Sequence, residues 1–392
     1  MNSAGVAHPT RKMNALEKNL LGVKIDRVPQ LPPGLLAAAL LAWLSIWLSR
    51  YIGVTVMGFE KTPISAVTMA IVLGLIIGNV VSLPAWLKPG FKFAVKKVLR
   101  LGIIMLGIRL SIFDVFKLGA LGVPIVLLCI LSALLVTTRL GKRLRLPGRL
   151  STLIAVGTSI CGVSAIVATG PAIDARDEEV AYAVSVITIF GIIASLVYPY
   201  AANAMFAGDP VKAGLFLGTA IHDTSQVTGA ALAFADVFSL PRGLDVATVT
   251  KLVRNTFMAA VIPLMTLYYT RKVAGQDEFT GKKTGFARLL PLFVVGFLVF
   301  TVLRSVGDAG INAGGSAFGV WDSATWKGIH SFIKHWAVNL LVLALAAVGL
   351  STSFRVLKSL GIKPFIVGLA AAFIVGVVSS VAISLLGTLV TF

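Results

Sequence analysis

Eleven apolar runs, each 18 to 26 residues long, follow one another along the chain with short polar segments between them. They fall at 33–50, 63–83, 98–115, 119–138, 149–170, 180–203, 212–236, 247–270, 287–305, 331–350 and 364–389. At about 1.5 Å of rise per residue, such runs match the roughly 30 Å hydrocarbon core of a bilayer. The pattern predicts an all-α membrane protein of about eleven transmembrane helices. Residues 1–32 read as a polar, basic cytoplasmic segment and 33–392 as a single transmembrane transport domain. The first run is too long for the core of a cleaved leader and lacks a small-x-small cleavage site, so it reads as an uncleaved span. The third is the most interrupted, by Arg100 and Arg109.

Composition agrees. Hydrophobic residues make up 57% of the chain and charged residues 13%, about half the charged fraction of a soluble domain. The 35 basic residues against 16 acidic ones would suit a nucleic-acid binder, but position argues otherwise. With the N-terminus inside, 24 of them fall in inner segments such as 84–100, 139–149 and 271–288, and 8 in outer ones. That is the positive-inside pattern, with the N-terminus cytoplasmic and the C-terminus outside. Trp86, Trp321, Trp326 and Trp336 read as interfacial anchors. Cys129 and Cys161 lie inside apolar runs, and His8, His222, His330 and His335 show no ligand spacing, so neither a metal nor a cofactor is expected.

Two repeats emerge once the runs are drawn. GIRLSIFDVFKLG (107–119) is echoed by GLSTSFRVLKSLG (349–361) in the opposite expected orientation, the trace an inverted repeat leaves. The fifth and seventh runs share a second motif. Gly157, Thr158, Ile160 and Ser164 match Gly218, Thr219, Ile221 and Ser225. Glycine and hydroxyl residues clustered at mid-depth predict interrupted helices near Thr158–Gly162 and Ile221–Ser225, whose freed N–H and C=O groups meet a substrate. Tight packing through small residues is the alternative.

The seventh run adds His222, Asp223 and Gln226, polar side chains that are costly in lipid. Asp223 must therefore face protein or water. Burial of a carboxylate favours its protonated form, which suits it, with His222 as the next candidate, to proton coupling; a structural ion pair with Arg109, Lys251 or Arg254 is the alternative. Lys251 and Arg254 share a helix face with Asn255 one step round. A guanidinium donates to two oxygens of an oxyanion at once. The candidate anion-binding set is Arg109, Ser159, Cys161, Gly162, Ser164, Thr224, Ser225, Gln226, Lys251, Arg254 and Asn255, with Asp114 near enough to Arg109 to neutralise it.

The runs LRLGIIMLGIRLS (99–111), GTSICGVSAIVAT (157–169), GLFLGTAIHDTSQVTGA (214–230) and TKLVRN (250–255) together resemble the bacterial YeiH-type family of sulfate exporters. The resemblance implies a multi-pass protein of the bacterial inner (plasma) membrane. It also implies kinship with the cation/proton antiporter and anion transporter superfamily, with its inverted repeats and crossed broken helices. Asp223 stands where relatives carry Glu, which keeps the carboxylate, and 306–330 is an extended outer region.

The sequence thus predicts a secondary transporter exporting a small anion, sulfate or a related sulfur oxyanion, coupled to protons. Expected partners are a small inorganic or organic anion, protons and the lipid bilayer, without nucleic acid; a homo-oligomer stays open. No GxxxxGK[ST] loop is present for ATP hydrolysis, and no HExxH or GxSxG for catalysis. A membrane-embedded enzyme and an anion channel are the rival classes.

Overall fold

A computed structural model of the protein describes residues 17, 25–58, 65–273, 292–352 and 362–386. It is helical throughout, with one isolated bridge, Ala317 to Trp321, among the described residues. In chain order the helices are α1 (Pro32–Arg50), α2 (Ala66–Val80), α3 (Lys88–Phe93), α4 (Leu99–Leu106), α5 (Ile112–Arg143), α6 (Gly148–Ser159), α7 (Val163–Thr169) and α8 (Asp177–Met205). There follow α9 (Pro210–Ala220), α10 (Thr224–Phe238), α11 (Pro241–Thr256), α12 (Met258–Tyr268), α13 (Leu292–Asn312), α14 (Ser323–Ser351) and α15 (Ile362–Leu386). Six helical stretches are long and apolar enough to cross a membrane, and shorter apolar helices accompany them. This is a multi-pass membrane protein.

Local chemistry sets the boundaries. Ser65 caps α2 by accepting from the Val67 N–H, and Ser111 with Asp114 forms a capping box that starts α5. Proline occupies the first turn of α1, α9 and α11, where its missing N–H costs nothing. Three acidic residues open α8 and complement its dipole. Close packing relies on glycine: Gly74 meets Gly349 between α2 and α14, and Gly34 meets Gly90 between α1 and α3.

The third predicted span moves toward the N-terminus. One continuous helix runs from Ala85 through α3 and α4 to Arg109, and the chain turns at Leu110. The run 98–115 misplaced it because Lys88, Lys92, Lys96 and Lys97 look like a loop on a hydropathy scale. They are in fact the polar face of a helix whose Gly90, Phe91 and Ala94 are buried. Asp114 is correspondingly a capping residue rather than a mid-span charge.

The fifth and seventh spans are interrupted where expected, but neither continues across the bundle. Between α6 and α7 the chain reverses at Ile160–Gly162, with Gly162 in the left-handed region at φ +65°. The two open ends lie together, since Arg149 pairs with Asp174 at 3.8 Å and Leu144 and Leu146 share a core with Ile173 and Val180. Between α9 and α10 the chain reverses at Ile221–Asp223, both ends of which are extended. Gly243 at the start of α11 touches both Phe234 and the Pro210 carbonyl, so this pair is also a hairpin.

The α6/α7 hairpin opens beside the first residue of α8, the α9/α10 hairpin beside its last, so the two enter from opposite faces. Their tips meet: a Cβ at Gly162 would lie 3.2 Å from the Asp223 Cβ. Among the described residues nine helical columns traverse the bundle, fewer than eleven, because two runs of spanning length are folded in half. In the 107–119 and 349–361 echo, α4 and α14 end at opposite faces; 353–361 lie outside the described residues.

One aromatic reading is corrected. Trp326 is buried, stacked on Trp321, with its indole N–H donating to Asp308 at 2.8 Å. It is the centre of a small cap over α13 and α14, whereas Trp86 and Trp336 stay exposed.

Candidate functional site

The helix α11 stands behind both hairpin tips and carries the two most deeply buried cations. A helix leaves its last four carbonyls without intrahelical partners, and here two helices, α6 and α9, end inside the protein. The Arg254 guanidinium donates to the carbonyls of Ser159 at 2.8 Å and Thr158 at 2.6 Å on one hairpin. On the other it donates to Thr219 at 2.5 Å and Ile221 at 3.2 Å. Lys251 Nζ donates to Ile160 at 2.8 Å, Ile221 at 3.0 Å and His222.

The repeated motif explains this arrangement. Thr158 and Thr219, matched in sequence, give their carbonyls to the same guanidinium; Ile160 and Ile221, also matched, give theirs to the same ammonium. Both threonine hydroxyls bond back one turn, to Ile154 at 2.8 Å and Leu215 at 2.7 Å. Two positive side chains thus sit at the converging negative ends of two helix dipoles. All three Lys251 donors are taken by backbone. These cations hold the hairpins.

The polar side chains of α10 face a different space. A cavity of about 500 Å³ is bounded by Ser164, Asp223, Thr224, Ser225 and Gln226 from the tips, by Lys96 and Arg100 from the α3–α4 helix, and by Phe293 and Ser351. Asp223 is half-buried and caps α10, accepting from the Ser225 N–H at 2.8 Å and from the Ser225 hydroxyl. Gln226 braces this cap: its Oε1 accepts from the Asp223 N–H at 3.4 Å and its amide donates to the Thr188 carbonyl at 2.9 Å. A side chain at Gly191 would strike that amide, so α8 carries glycine there. Asn255 Nδ2 reaches the Thr224 hydroxyl at 3.1 Å, leaving its Oδ1 without a partner.

The predicted residues therefore divide. Ser164, Asp223, Thr224, Ser225 and Gln226 border the cavity, and Gly162 forms the facing tip. Ser159 is buried and bonded to the Val156 carbonyl at 3.1 Å, and Cys161 is buried against Met258 with sulfur atoms 3.6 Å apart. His222 is buried behind the tip with Nδ1 unpartnered. Lys251 and Arg254 are spent on carbonyls. Arg109 lies away from the tips, at the face where α9/α10 opens, paired with Asp245 at 2.5 Å rather than with Asp114. Asp114 faces Arg242 at 3.7 Å instead.

Arg100 was missed as a site residue. It borders the cavity, lies within electrostatic reach of Asp223, and holds its guanidinium 5.8 Å from the Phe293 ring centre. The sequence did carry a signal: Lys88, Lys92, Lys96 and Arg100 recur every four residues, which aligns them on one helical face.

A family profile described as Conserved hypothetical protein 698 matches residues 33–368. The chain is similar to a UPF0324 membrane protein of Fusobacterium nucleatum, 33% identical over 79% of this chain and 87% of that protein. It is also similar to UPF0324 membrane proteins of Streptococcus agalactiae, 31% identical over 91% of this chain and 98% of that one, and of Clostridium tetani, 31% identical over 88% and 94%. No solved structure matches.

Proposed function

The chain belongs to the Conserved hypothetical protein 698 family of bacterial membrane proteins, and on that premise we propose that it is a proton-coupled secondary transporter exporting a small anion, of the YeiH-type sulfate-exporter kind. The observation that carries the reading is the meeting of two opposed hairpins at a cavity lined by a guanidinium, an ammonium, six hydroxyl residues and one carboxylate. Hairpins entering from opposite faces are two halves of an inverted repeat, each able to close the site from its own side. Nine crossings and two re-entrant hairpins keep the N-terminus cytoplasmic and the C-terminus outside. Folding the hairpins back exchanges Arg176 and Lys212 between the two sides, so the basic bias is unchanged. The face where α6/α7 opens is the cytoplasmic one.

In this mechanism Arg100 holds the anion, with Lys96 and the hydroxyls of Ser164 and Thr224 as further donors. Ionised Asp223, within electrostatic reach of Arg100, repels the anion and offsets the charge of the guanidinium; protonated, it no longer opposes the ligand. One proton moving with a dianion leaves one net negative charge. A membrane potential negative inside then favours the outward direction by about 2.3 kcal/mol per 100 mV. No catalytic residue and no cofactor is needed.

Sulfate flux in proteoliposomes tests this reading. Saturable flux that a pH gradient accelerates is the expected result. Flux that never saturates would assign a channel, and chemical conversion of the anion an enzyme.

A further inference from the structure

The α3–α4 helix carries more positive charge than the central cavity uses. Lys88, Lys92, Lys96 and Arg100 follow at four-residue intervals on one face, a like-charged spacing that disfavours a helix unless something compensates it. No carboxylate is paired with any of the four among the described residues. Lys88, Lys92 and Lys96 line a second cavity, about 660 Å³ in volume, between this helix, the end of α2 and the end of α14. Among the described residues no acidic side chain borders it. The two cavities share Val95, Lys96, Ser351 and Thr352, so the second adjoins the first, and it lies toward the cytoplasmic face.

We infer that the Lys88–Lys92–Lys96 cavity is a second anion-binding site, a staging position that takes a small divalent oxyanion from cytoplasmic water and passes it through Lys96 to Arg100. The inference rests on the proposed transport reading for its direction, but the site's binding chemistry stands apart from it. Ammonium groups suit staging: they are compact, hydrated and mobile, so they attract an anion without the directional grip of a guanidinium. A cleft lined by one sign of charge also raises the local concentration of its counter-ion and the rate of capture. Lys96, bordering both cavities, is the point of transfer. An anionic lipid headgroup offers the same chemistry from another source, and the test separates the two.

The experiment uses the full chain in nanodiscs and proteoliposomes of neutral lipid, with radiolabelled sulfate at low ionic strength. The double variant Lys88→Gln/Lys92→Gln is expected to lose a weaker class of sulfate sites that Arg100→Gln retains. Its initial rate of sulfate movement from the cytoplasmic face should fall about tenfold at low sulfate, with the maximal rate and flux from the other face unchanged. Added salt should close the gap, because it screens the attraction. Lys88→Arg/Lys92→Arg should keep the weaker class of sulfate sites and its salt dependence, which guards against a folding artefact. Wild-type binding and rates in the Gln variant would overturn the staging site while leaving the central one intact. Loss of the weak class in a protein that moves no sulfate would retain the staging site and overturn the transport reading. An effect seen only with phosphatidylglycerol in the membrane would overturn it in favour of lipid.

Discussion

Two pairs of cations, Lys251 with Arg254 and Lys96 with Arg100, stand on either side of the hairpin tips and do opposite work. The first pair is wholly buried and donates into the carbonyls of Thr158, Ser159, Ile160, Thr219, Ile221 and His222. The second borders open space and forms no ion pair with a carboxylate among the described residues. Burial and charge alone would rank Arg254 above Arg100 as an anion ligand. The donor inventory reverses the order, because a guanidinium committed to four carbonyls has little left for a ligand.

The largest effect expected from breaking this contrast is on stability. Arg254→Ala strands several buried carbonyls at two helix ends and should destabilise the protein by about 3–5 kcal/mol, as loss of one partner from a buried charged cluster does. A large fall in the detergent melting temperature, with or without sulfate, is the outcome to look for. Arg254→Lys should recover part of it, since an ammonium cannot span both threonine carbonyls. An Arg254→Ala protein that melts like wild type but no longer binds sulfate would return Arg254 to the anion site.

Much of this centre was legible in the sequence. The glycine and hydroxyl clusters marked both interruptions within a residue or two, but the carbonyls they free, which the sequence offers to a substrate, are taken by Lys251 and Arg254. The doubling back was not legible, because a run of 22 to 25 apolar residues satisfies a span-length criterion whether it crosses once or enters and returns. Arg149 and Asp174, one at each end of the fifth run, were the available hint. Arg100 registers in the sequence only as an interruption of the third run: Lys88, Lys92 and Lys96 before it read as a loop, so the four-residue spacing of these charges had no helix to sit on.

A smaller effect is expected at the carboxylate. Asp223→Asn keeps a side-chain cap on α10, since asparagine caps a helix about as well as aspartate. Folding should be unaffected while the pH response changes. In the wild type, sulfate binding should tighten as pH falls, by at most about tenfold per pH unit for one coupled proton. In the Asn variant affinity should be nearly flat with pH, which binding isotherms at several pH values would measure. A wild-type slope would move the coupling to His222.

The smallest effect concerns the brace rather than the ligands. Gly191→Ala pushes the Gln226 amide off the Asp223 N–H and should cost about 1–3 kcal/mol, as an added group in a packed interior does. Sulfate affinity should fall modestly at every pH, and the pH slope should survive. A flattened slope instead would make Gln226 part of the proton-coupling unit.

The most direct measurement of the central claim is sulfate-dependent thermal stabilisation of Arg100→Gln beside the wild type. Ligand at a hundred times its dissociation constant stabilises a protein by about 2.7 kcal/mol, enough to shift the melting temperature visibly. The wild type should show that shift with sulfate, and Arg100→Gln should melt at the wild-type temperature without sulfate and respond little when it is added. A full sulfate response in Arg100→Gln would contradict the account, because the anion would then be held by groups other than the cavity cation.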